Sequence, residues 1–188
     1  MCNIDFHYYK EALERAGIVF ASGLTSAEVL AIQEEFQFVF PPDLAEFLMY
    51  ALPVSFVDWR NGERSHIQEV LAWPYEGICF DIQHNAFWMD EWGPQPADFD
   101  EACQIAKVAV ERAPKLIPIF GHRYIPDTPH EYGNPVFSVC QTDIIYYGRD
   151  LFHYYENEFY WYFGKSGFSP GGEIKHIDFW TTLIEINA

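Results

Sequence analysis

The sequence predicts an α+β fold. Helix-start signals fill the first two-thirds of its 188 residues, and short β-branched and aromatic runs gather late. The two do not alternate in the βαβ order of a doubly wound sheet, so a mostly antiparallel or mixed sheet flanked by helices is expected.

Asp5 caps a first helix whose Phe6, Tyr9, Leu13 and Ala16 share one stripe, with Gly17 as the left-handed stop. Thr25 and Glu28 form a capping box, and Leu24 and Val29 stand where a hydrophobic staple packs, so a second helix runs on through Leu30 and Phe36. Pro41 and Pro42 open a third, with Leu44, Phe47, Leu48 and Ala51 on its inner face and Pro53 ending it. From Val54 to Gly93 the chain is rich in tryptophan and weak in period. The reading there is a helix from Glu63 to Leu71 and shorter pieces around Phe80 and Asn85.

Asp98, with Glu101 three residues on, caps a helix whose Phe99, Ala102, Cys103, Ala106, Val110 and Ala113 face inward before Pro114. Strands are expected at Leu116 to Phe120, Val136 to Gln141 and Thr142 to Tyr147, and Pro118 puts the first at a sheet edge or a strand start. Asp150 caps a further helix with Leu151, Tyr154, Tyr155, Phe159 and Tyr162 inward. A loop from Gly164 to Gly172 then leads to a last element near Ile177 to Ile186.

The chain carries 28 Asp and Glu against 11 Lys and Arg, a formal charge of −17. Residues 1 to 100 hold 17 acids and 4 bases, residues 101 to 188 hold 11 and 7, and no two bases are adjacent. A field of that sign repels phosphate, so direct binding of nucleic acid or an anionic membrane is not expected, whereas a basic protein is attracted. Cys2, Cys79, Cys103 and Cys140 form no C-x-x-C, Met1 to Lys10 is no secretory signal, and no apolar run spans a bilayer. A cytoplasmic chain, monomeric or weakly dimeric, without metal or cofactor, is the expectation.

The residue types of an activated thiol occur as Cys140, His122 and Asp143, so a small-molecule hydrolase or transferase is one alternative. A self-associating aromatic scaffold is another. Trp88, Asp90, Glu91 and Trp92, followed by Asp98, Asp100 and Glu101 and preceded by Asp58 and Trp59, are the candidate contacts for a basic partner. The competing reading has these tryptophans filling core.

Gly23-Leu24-Thr25, Pro41-Pro42-Asp43-Leu44 and Trp59-Arg60 are followed by the late blocks Pro118-Ile119-Phe120-Gly121-His122-Arg123-Tyr124 and Gly133-Asn134-Pro135-Val136-Phe137-Ser138-Val139. With Gln141 through Gly148 they resemble the SUKH superfamily, which holds a fungal regulator of cell-wall assembly and killer-toxin resistance and many bacterial immunity proteins. The likeness covers about Gly23 to Phe159 and departs at Gln95 and Cys140. It implies a single SUKH-like domain over 1–188, with a core of about 23–160 and a helical N-terminal extension and C-terminal aromatic segment packed on it. It further implies binding rather than turnover, with a nuclease-type toxin as partner and no catalytic residue. His122, Arg123 and Tyr124 would either pack inside the sheet or border a ligand groove.

Overall fold

The computed structural model describes residues 4–169 and 171–186. Cys2 lies outside them. The element order is α1 Phe6–Arg15, β1 Phe20–Ser22, α2 Ser26–Phe36, α3 Pro42–Tyr50, β2 Ala51–Pro53, α4 Arg64–His84 and α5 Phe99–Arg112. There follow β3 Leu116–Phe120, β4 Arg123–Pro126, β5 Val136–Cys140, β6 Asp143–Gly148, α6 Leu151–Glu158 and α7 Trp180–Ile186. The chain is α+β, with a four-stranded antiparallel meander in the order β3-β4-β5-β6 and a separate β1-β2 ladder.

Each pleat of the meander sends alternate side chains into different cores. Ile117, Ile119, Ile125 and Val136 join the core built by α1, α2, α3 and α6. Leu116, Tyr124, Phe137, Val139 and Ile144 join a second core with Ile78 and Ile82 of α4, Ala102 and Ala106 of α5, and Trp180 and Leu183 of α7. The sheet is therefore buried on both faces. Pro118 sits in β3 at the edge, where its missing N–H interrupts no interior ladder, and a register irregularity follows it.

The local side-chain signals operate as the sequence suggests. Asp5, Asp98 and Asp150 accept from the N–H groups of Tyr8, Glu101 and His153, and Thr25 and Glu28 cap each other reciprocally. Arg60 then bonds both Glu28 oxygens, at 2.5 and 3.1 Å, and the carbonyls of Ser22 and Gly23, both at 2.9 Å, pinning the start of α2 to the end of β1.

Four expectations need correction. The third helix stops at Tyr50, not at Pro53, because Ala51, Leu52 and Pro53 pair with Ser22, Ala21 and Phe20 as β2. Arg123–Pro126 is a strand, where no strand was expected between Phe120 and the turn that begins at Pro126. α6 ends at Glu158, Phe159 links it to a 3-10 turn over Tyr160–Phe163, and Tyr162 is exposed instead of inward.

The largest correction is α4, one helix of 21 residues where a helix from Glu63 to Leu71 and shorter pieces around Phe80 and Asn85 were expected. Pro74 lies inside it and cannot donate to the carbonyl of Val70 four residues earlier. The Tyr124 hydroxyl donates to that carbonyl at 2.8 Å, so the orphaned acceptor is satisfied from the sheet. Tyr124→Phe is expected to cost about 1–2 kcal/mol in the wild-type background. In a Pro74→Ala background, where an N–H is restored, the same change should cost about half as much; denaturant unfolding of the four proteins measures the coupling.

Candidate functional site

Between Arg64 and Lys107 the chain has no Lys or Arg but eight Asp and Glu. The fold gathers much of this stretch on the surface. In α4 the residues Glu69, Trp73, Glu76 and Phe80 follow a 4-3-4 spacing, which places them on one helix face, and all four are exposed, Trp73 to 50%. Acid and aromatic side chains therefore alternate along one stripe. α5 lies alongside, joined to α4 by a Tyr75 hydroxyl donating to the Cys103 carbonyl at 3.3 Å. The first turn of α5 presents Asp100 and Glu101 beside the exposed Phe99. Asp90 and Glu91 are presented by the 3-10 turn between the two helices. Among the described residues, Glu76, Asp90, Glu91, Asp100 and Glu101 make no ion pair, and Glu69 meets only His66, at 3.6 Å.

The candidate contacts divide. Trp88, Asp90, Glu91, Trp92, Asp98, Asp100 and Glu101 all belong to this acidic region. Trp88 and Trp92 are half-buried, packed edge to face at 5.1 Å against the second core, and Trp88 Nε1 donates to the Gly93 carbonyl at 2.7 Å. They shape the turn that carries Asp90 and Glu91. Asp98 is committed to capping α5.

Trp59 is a correction. Its indole is 2% exposed, ringed by Phe36, Phe38 and Phe40 at centroid distances of 5.4–5.9 Å, so it is core and not a contact surface. Asp58 builds the turn before α4 by accepting from the N–H groups of Arg60 and Asn61. Both residues belong to the first core's side of the chain. The exposed pair Trp73 and Phe80 was missed because Pro74 disguised the helix that aligns them.

His122, Arg123 and Tyr124 do not border a groove together. Strand alternation sends Tyr124 into the second core, 1% exposed, and Arg123 to the opposite face. There the guanidinium bonds Glu158 at 2.8 Å and the Ser138 hydroxyl at 2.8 Å and stacks 3.8 Å above the Tyr147 ring. This clamp ties β4 to β5, β6 and α6. Desolvation and the neighbouring Arg123 charge hold the His122 imidazole below its usual pKa, so it is neutral at pH 7. Cys140 and Asp143 are partners at the tip of the β5–β6 hairpin, both exposed, and among the described residues neither hydrogen-bonds to His122. Cys103, in contrast, is a buried thiol pushed up to about 12 by desolvation and by the Cys79 thiol beside it.

A cavity of about 890 Å³ lies elsewhere, among α1, α3, α6 and the loop before β5. Sequence reading missed it because its lining comes from four separated segments. Models of known protein families, curated proteins and solved structures yield no match to this chain.

Proposed function

We propose that this protein is a non-enzymatic binding domain that docks a basic protein on the acid and aromatic face of α4 and α5. The observation that carries the reading is the exposed stripe Glu69, Trp73, Glu76, Phe80 on α4, with exposed Asp90 and Glu91 in the following turn and Asp100 and Glu101 on the α5 helix packed against it, and no Lys or Arg between positions 64 and 107. Carboxylates that are not tied up in ion pairs project a field that steers a basic partner, and large exposed aromatics supply the apolar anchors that hold it. An immunity protein that occupies the nucleic-acid surface of a nuclease toxin needs these two properties, in agreement with the SUKH resemblance. An ordinary interface, about 800 Å² on each partner, fits on two adjacent helices.

Affinity capture from the source cell tests the reading, with the partner identified and its affinity then measured at 50 and 300 mM salt. A basic protein is expected, bound more weakly at the higher salt. The variant Glu69→Gln, Glu76→Gln, Asp100→Asn, Glu101→Gln should weaken it by about 100-fold while leaving the circular dichroism spectrum unchanged. Equal affinity of variant and wild type, or indifference to salt, would overturn the docking face.

A further inference from the structure

The cavity among α1, α3 and α6 is walled by aromatic rings, four carboxylates and His153, with one cation, Arg149, at the wall beside Asp150. Phe152 lies 4.7 Å from Tyr9 and is stacked with Phe6 at 5.9 Å, measured between ring centroids. Asp43 and Glu46 project from successive turns of α3. Asp43 is 1% exposed, and its oxygens accept only backbone N–H groups, from Leu44 at 3.0 Å and Gly133 at 3.1 Å. Glu46 accepts the Tyr132 hydroxyl.

Two further lining acids already have cations: Asp150 meets Arg149 at 3.2 Å and Glu156 meets Lys165 at 3.4 Å. Among the described residues Asp43 and Glu46 have none. Burial pushes the Asp43 carboxyl up against its two N–H bonds, so its ionised form lacks the counter-charge that a positive group entering the cavity would supply.

His153 supplies an independent observation. The side chain is 6% exposed, and its Nδ1 accepts the Arg149 backbone N–H at 3.1 Å, which leaves the proton of the neutral ring on Nε2. That N–H finds no acceptor among the described residues, and unlike the Tyr154 and Tyr155 hydroxyls, the buried polar atoms left without a partner there, it is not sealed from solvent. His153 is one of the residues that line the cavity.

We propose that the cavity binds a guanidinium compound: the planar cation against Asp43 and Glu46, its stem along the Tyr9 and Phe152 rings, and a carbonyl oxygen taking the His153 Nε2 proton. A guanidinium suits the place better than an ammonium because its fork serves two acceptors at once and its flat face stacks on aromatic rings. A free arginine derivative and an arginine side chain of a polypeptide share this chemistry.

Calorimetric titration of the whole protein with arginine amide tests the assignment. Saturable binding at one site is expected, at least about tenfold weaker for citrulline amide, the isostere whose side chain is uncharged, and about tenfold weaker in Glu46→Gln, whose exposed position spares the fold. Agmatine, which lacks the carbonyl, should bind about fivefold more weakly than arginine amide; equality would remove His153 from the site. Tighter binding of Gly-Arg-Gly than of arginine amide would mark a polypeptide as the source, and the reverse a free compound. Binding that does not saturate, or that is equal for citrulline amide or unchanged in Glu46→Gln, overturns the proposal. The four-residue variant of α4 and α5 should bind arginine amide normally, so this site and the docking face stand or fall separately.

Discussion

Gly23→Ala is expected to destabilise the protein by at least about 3 kcal/mol, seen as a lower midpoint in denaturant unfolding with unchanged slope. A Cβ at this position would stand 1.8 Å from the carbonyl oxygen of Met49 and 2.4 Å from its carbonyl carbon. These are backbone atoms of the last turn of α3 and no rotamer change relieves the contact. The two segments cannot simply part, because Leu24 N–H donates to the Leu48 carbonyl at 2.9 Å and Arg60 holds the Gly23 carbonyl. Gly17→Ala is the matched control: its φ of +90° strains an alanine, but nothing lies within 4 Å, so the cost should be about 1–2 kcal/mol. A Gly23→Ala loss no larger than that of Gly17→Ala would show that α3 yields more readily than its hydrogen bonds suggest.

Asp81→Ala should cost about 3 kcal/mol and lower Tm by about 6–12 °C in a calorimetric scan. The Asp81 carboxylate is 4% exposed and holds the turn between β5 and β6 against α4. One oxygen accepts from Thr142 N–H at 2.8 Å and Thr142 hydroxyl at 2.6 Å, and the other from the Asn85 amide at 2.5 Å. Alanine withdraws the acceptor from three donors at once. Asparagine keeps one acceptor oxygen and should lose roughly half as much. The approach is close on the same side of α4, since a Cβ on Gly77 would stand 2.7 Å from Gln141 Cα. Loss confined to the hairpin, with α4 unaffected in hydrogen exchange, would contradict this coupling.

Both contacts join residues far apart in sequence, and this separates what was legible from what was not. Asp5, Thr25, Asp98 and Asp150 each bond an N–H three residues on, so the helix starts could be read locally. Three of the four meander strands, β3, β5 and β6, were readable for the same reason, through short apolar runs bounded by turn residues, whereas β4 was not. α4 was not readable, because the hydroxyl that compensates for Pro74 comes from Tyr124, 54 positions away. The ladder of β1 and β2 has three residues a side, too few for any period to show.

The candidate site divides along the same line. The acids after Trp88 were visible as charge, but exposure was not: Trp59 sinks among phenylalanines while Trp73 and Phe80 emerge, and hydrophobicity is alike in all three. The cavity was invisible because Asp43 reads as an ordinary first-turn helix acid until α6 and the Gly133 loop close over it.

Pro118 also limits how this molecule meets others. A sheet whose outermost strand carried a full row of amide donors would invite a foreign strand to zip onto it, and such recognition is tolerant of the visitor's side chains. With one donor missing and the strand's register broken just beyond it, that mode is discouraged on the β3 flank. On the docking proposed above, identity would be judged on the helical exterior by charge and shape, and not by main-chain pairing on this flank.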